Sequence, residues 1–105
     1  MSDLALISSL PEVKTAVLCD LNGALLDSVR EADPESVAAV MGYLTATLVQ
    51  SGDELGLGAL RRIALVGERR AWLVAVRGEA VLSAQVEPPS SIAAVEKVLD
   101  AAQRG

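Results

Sequence analysis

Three short runs in this chain are apolar at consecutive positions: AVLC at 16–19, WLVAV at 72–76 and AVLSA at 80–84. A strand with one face in water alternates apolar and polar residues, so runs like these belong to a sheet covered on both faces. The turns between the later runs are too short to hold a crossover. Gly67-Glu68-Arg69 and Arg77-Gly78-Glu79 each leave room only for a tight reversal, which makes the flanking strands antiparallel neighbours. An antiparallel sheet with two covered faces needs helices on both sides, and the rest of the chain must supply them.

The stretch DLALISSL at 3–10 predicts a short helix capped by Ser2 or Asp3, with Leu4, Ile7 and Leu10 at helical spacing and Pro11 ending it. Val13 to Cys19 reads as a strand. Leu21-Asn22-Gly23 carries turn chemistry, and Ala24 to Val29 reads as the returning strand of a hairpin. Asp33-Pro34 starts a long helix, with Asp33 as N-cap and Pro34 at its first position, running to about Leu55, where Gly56-Leu57-Gly58 stops it. Three strands follow as a meander: Leu60 to Val66, Ala71 to Val76 and Ala80 to Val86. Pro88-Pro89 breaks the chain, Ser90 or Ser91 caps, and Ile92, Val95, Leu99 and Ala102 line the inner side of a last helix.

The expected fold is therefore α/β, a single domain over residues 1–105 in the order α-β-β-α-β-β-β-α. It is a three-layer sandwich, with a mainly antiparallel five-stranded sheet between the long helix and the two terminal ones. Only Trp72 and Tyr43 are aromatic, so the core must be aliphatic.

The long helix presents two arcs at about 100° per residue. Val37, Val40, Met41, Leu44, Leu48 and Leu55 form a bulky arc expected to meet the sheet. Ala38, Gly42, Thr45, Ala46 and Val49 form a small-residue arc, on which another backbone could approach closely. A bulky residue at Gly42 is accordingly expected to weaken a dimer more than the fold.

Several chemistries are excluded. The chain has no histidine and one cysteine, so a zinc site, a Ser-His or Cys-His pair and an internal disulfide are out of reach; no metal, cofactor or catalytic residue is expected. Cys19 lies in an apolar run and reads as a small buried hydrophobe. The stretch VLCDLNGALLDS at 17–28 is similar to the DxDGTxxD opening of haloacid-dehalogenase-type phosphatases. Asn22 nevertheless stands where the proton donor should be and Ala24 where the hydroxyl should be, leaving Asp20 as a turn residue. Gly56-Leu57-Gly58 ends a helix instead of opening one, which argues against a phosphate loop. No apolar stretch approaches the length needed to span a bilayer, so no membrane insertion is expected and the chain is placed in the cytoplasm.

Charge is unevenly spread in a chain of net charge −5: residues 1–60 hold nine acids and two bases, whereas 61–80 hold five arginines and two glutamates. The acidic balance and the scarcity of aromatic side chains argue against nucleic-acid binding. Arg61 and Arg62 alternate across the faces of a strand, so at least one points toward a side that the apolar pattern would bury. Edge protection, a partner contact and an arginine reaching a bound nucleotide all remain open for Arg61, Arg62, Arg69 and Arg70.

The element order, with LPEVKTAVLCDLNGALLDS and then LGLGALRRIALVGERRAWLVAV, resembles the roadblock family, which includes dynein light chain roadblock proteins and bacterial regulators of Ras-like GTPases. Pro11 and Val13 before the first strand, Asp20 and Gly23 in its turn, and Gly56 to Leu60 before the third carry the likeness; Glu12 replaces a common glycine. The resemblance implies a roadblock/profilin-like sandwich that dimerises by joining sheets and laying long helices side by side. That gives an expected homodimer interface of Ala38, Gly42, Thr45, Ala46, Val49, Ile63 and Leu65. It also implies a non-catalytic module for a small Ras-like GTPase, with Arg61, Arg62, Glu68, Arg69 and Arg70 as candidate contacts. The rival reading is a small-molecule sensor of profilin-like fold, which needs an enclosed pocket.

Overall fold

The computed structural model describes residues 3–104, so Ser2, one of the two candidate caps, lies outside the described residues. The elements are α1 (Asp3–Ser8), β1 (Val13–Asp20), β2 (Leu25–Val29), α2 (Pro34–Glu54), β3 (Arg62–Val66), β4 (Ala71–Arg77), β5 (Ala80–Val86) and α3 (Ile92–Arg104), the last preceded by a 3-10 turn at Pro89–Ser91. The five strands order as β2-β1-β5-β4-β3, and every neighbouring pair is antiparallel. The expected α/β class, element order and covered antiparallel sheet are what the structure contains.

Alternation along each strand divides the core in two. On one face Ala16, Leu73, Leu82 and Ala84 pack with Leu4 and Ile7 of α1 and Val95 and Leu99 of α3. On the other, Val17, Cys19, Val74 and Val81 pack with Ala38 and Met41 of α2. The first layer is closed by Arg30, which sits at φ 62° just past β2. Its guanidinium donates to the Ser8, Val13 and Lys14 carbonyl oxygens at 2.7, 2.9 and 3.0 Å, tying the end of α1 to the start of β1.

The long helix begins as expected. The Asp33 side chain accepts from the Ser36 N–H and Pro34 follows at the first position. It ends in a Schellman arrangement: the Gly56 N–H donates to the Asp53 oxygen and the Leu57 N–H to the Gly52 oxygen, with Gly56 at φ 71°.

The roll of α2 about its axis differs from the expectation. Of the bulky arc, Met41 is buried and Val37, Leu44 and Leu48 pack on the core as expected, but Ala38, Gly42 and Thr45 are also buried against the chain's own sheet, while Val40 and Leu55 are 61% and 73% exposed. The reason is steric. A Cβ at Gly42 would lie 2.6 Å from the Gly23 Cα, 2.7 Å from its nitrogen and 3.0 Å from the Asp20 oxygen, so the β1–β2 turn occupies the space beside the helix. The other backbone that the small-residue arc admits is this turn. Three of the expected interface residues, Ala38, Gly42 and Thr45, are therefore corrected to interior positions, and Gly42 becomes a determinant of the fold.

Candidate functional site

The β1–β2 turn is built on Asp20. Its Oδ1 accepts the Asn22 and Ala24 N–H groups at 2.9 Å each, while its backbone oxygen accepts the Gly23 N–H and its N–H donates to the Ala24 oxygen. Both lone-pair directions of Oδ1 are used in holding the loop, which agrees with a turn aspartate. Cys19 beside it is fully buried, and burial raises its thiol above the ordinary range, with the Asp20 charge adding to the effect. Among the described residues no cluster of acidic and cysteine side chains is arranged to hold a metal ion.

The arginines separate into two groups. Arg62 on β3 turns to the α3 side, where its Nη2 donates to Asp100 at 2.9 Å and its Nη1 stands 3.7 Å from Glu96. This is the arginine that strand alternation pointed inward, satisfied by acids more than thirty residues away in sequence. Arg70 pairs with Glu87 at 3.6 Å. Arg61, Glu68 and Arg69 are exposed at the two ends of β3, and Arg70 is exposed as well despite its pairing with Glu87.

A larger feature is apolar. Helix α2 lies over β1, β2 and β5, leaving the same face of β3 and β4 thinly covered. Trp72 is half-buried there, Leu65 is 38% exposed, and Val40 and Tyr43 stand out from α2. Between them runs an open hollow of about 270 Å³, lined by Ser36, Val37, Val40, Met41 and Trp72. Beside it β3 is an edge strand, with β4 as its one neighbour in the sheet among the described residues. Of the expected interface, Ile63 is buried on this face, Leu65 is partly open, Ala46 is exposed and Val49 is half-buried. The exposed Val40 and Tyr43 escaped the sequence reading, which placed Val40 on the inward arc with Val37, Met41, Leu44 and Leu48 and assigned Tyr43 no face.

Comparison with known proteins decides the family. A model described as the Roadblock/LC7 domain matches residues 2–85. The chain belongs to the roadblock/LC7 family. Among solved structures, this roadblock chain is similar to Myxococcus xanthus MglB, with 19% identity over 95% of this chain and 87% of that one and a TM-score of 0.83. It is similar to a Roadblock/LC7 domain from Streptomyces avermitilis at 16% identity, covering 96% and 93%, with a TM-score of 0.72. It is also similar to the gliding protein MglB of Thermus thermophilus at 18% identity, covering 90% and 78%, with a TM-score of 0.74. No curated protein sequence matches it. At these identities the likeness speaks for the roadblock fold.

Proposed function

We propose that this roadblock protein is a non-catalytic homodimer that binds a small Ras-like GTPase in the cytoplasm and regulates or recruits it. The observation that carries the reading is the uncovered strip running from Val40 and Tyr43 of α2 across Trp72 and Leu65 to the β3 edge. Water on such a strip is costly, and a second copy brings an identical strip plus a strand to complete the ladder. Membership in the roadblock family supports the GTPase as partner. Arg61 and Arg69, exposed beside the strip, have the planar fork and apolar stem that suit a protein contact. The small-molecule reading has less to stand on, because the hollow beside Trp72 is open to solvent.

The test is titration into the Ras-like GTPase encoded nearest to this chain, loaded with GTP and separately with GDP, reading affinity and turnover. Arg69→Ala should weaken binding about three- to tenfold while turnover at saturation stays within about tenfold; a catalytic arginine would instead cost roughly 10³-fold. Arg62→Ala should leave affinity within about twofold, since its side chain is engaged by α3. Absence of binding to every GTPase of the cell refutes the reading, and a collapse of turnover on one arginine change refutes its non-catalytic part.

A further inference from the structure

At the far end of the sheet, β2 has β1 as its one neighbour among the described residues. The pairing of β1 with β5 is continuous from Thr15 to Asp20, so over that stretch the backbone groups of β1 alternate regularly between its two neighbours. The Asp20 N–H donates to the Ala24 oxygen on the β2 side, which puts the backbone groups of Leu18 and Ala16 on that side too. Their partners Asp27 and Val29 therefore turn their own backbone groups back toward β1. Ser28, between them, directs its N–H away from the sheet.

That outward donor is occupied. The Ser28 N–H donates at 2.8 Å to Oδ1 of Asp27, the residue just before it in the chain. An incoming strand would have to displace a charged acceptor to reach the donor, and its carbonyl oxygen would then stand beside an exposed carboxylate. Two further features shorten the same edge. Cys19 pairs with Leu25 and Leu18 with Asp27, which leaves Leu26 as an extra residue, 57% exposed, in a bulge that bends and twists the strand. Immediately after Val29, Arg30 at φ 62° takes the chain out of the extended conformation. Between bulge and turn only residues 27–29 run regularly, and Ser28 is the outward one. β3, by contrast, pairs regularly with β4 from Arg62 to Val66, and its sequence RIALV holds no acid.

We propose that Asp27 guards the β2 edge: by holding the Ser28 N–H within its own chain, its carboxylate closes this side of the sheet to strand addition by a second chain. The test is sedimentation of Asp27→Thr beside the unmodified chain from about 10 to 200 μM, a range in which modest interfaces form, with circular dichroism as the check on folding. Threonine is polar and favours extended backbone but lacks the charged acceptor. At the upper end of the range Asp27→Thr should reach at least about twice the mass of the unmodified chain at the same concentration. Because the reference is the unmodified chain itself, the outcome does not depend on whether that chain is one copy or two. Proline at position 28 removes the donor and is tolerated on an edge strand, so Ser28→Pro added to Asp27→Thr should return the mass to that of the unmodified chain. An unchanged mass for folded Asp27→Thr overturns the proposal, and so does association that survives Ser28→Pro, since another surface would then be responsible. Hydrogen exchange on the unmodified chain tests the guard without any variant: the Ser28 amide should exchange at least about tenfold slower than the same amide in an unstructured peptide. Exchange at the unstructured rate overturns the bond and the proposal with it.

Discussion

Adding one methyl group at Gly42 is the most informative change to the fold. In an exposed helix interior Gly→Ala gains about 1 kcal/mol from propensity. Here the new Cβ meets the Gly23 Cα at 2.6 Å, against the roughly 3.5–4.0 Å of an ordinary carbon contact, so about 1 Å of movement is demanded. Every atom it meets is backbone, in a turn already tied by Asp20 to Asn22 and Ala24, and no side chain can swing aside. Overpacking of this kind costs about 1–3 kcal/mol, and a rigid obstacle places Gly42→Ala at the upper end. After subtraction of the propensity gain, the net loss is about 2 kcal/mol. With a urea dependence of about 1–2 kcal/mol per molar, the midpoint should fall by about 1–2 M. Gly52→Ala, in the same helix, is the control: its Cβ meets only Leu57 Cδ1 at 3.9 Å, so it should stabilise by about 0.5–1 kcal/mol. Both are to be melted at one fixed protein concentration, because dimerisation shifts apparent stability. If Gly42→Ala stabilised as Gly52→Ala does, the close approach of α2 to the β1–β2 turn would be wrong.

Arg30→Ala should destabilise by about 1–3 kcal/mol through loss of its three carbonyl contacts, and Arg30→Gly by about 1 kcal/mol less, since glycine adopts φ 62° without strain; urea melts of both variants check the order. Cys19 should react with thiol reagents at a rate that tracks unfolding, because it is buried and its thiol is held neutral. Since the fold raises this pKa, stability is intact below the ordinary thiol range near about 8.5 and falls as pH climbs from there toward the raised value. Urea midpoints between pH 7 and 10 should decline more steeply for the unmodified chain than for Cys19→Ala.

Much of this fold was legible because its signals were local. Asp33-Pro34, Gly56, the Asp20–Gly23 turn and the unbroken apolar runs each mark a boundary or a covered face within a few residues. The roll of α2 was not, since periodicity finds two arcs and cannot choose between them. Val37, Met41, Leu44 and Leu48 of the bulkier arc do pack on the core, but the proximity of Gly23, a contact between residues nineteen positions apart, draws the small-residue arc inward beside them and leaves Val40 and Leu55 outside. Arg62 shows the same division: alternation alone turned an arginine inward, but nothing near it in sequence pointed to Glu96 and Asp100. The surface was legible as composition, in five clustered arginines, and not as geometry, because Arg62 pairs with acids of α3, Arg70 with Glu87 just past β5 and Arg77 with Asp3 of α1.

The strand order has a kinetic consequence. β5 lies between β1 and β4, and its Gln85 accepts from Thr15, 70 residues earlier. At about 5–20 residues per second, synthesis leaves β1 roughly 4–14 s without the strand that completes it, while its apolar inner residues already exist. Loop closure over that distance must precede any gain from the pairing, so this small domain should refold in milliseconds to seconds instead of microseconds. During that interval the nascent β1 presents an open apolar edge to any other extended chain nearby.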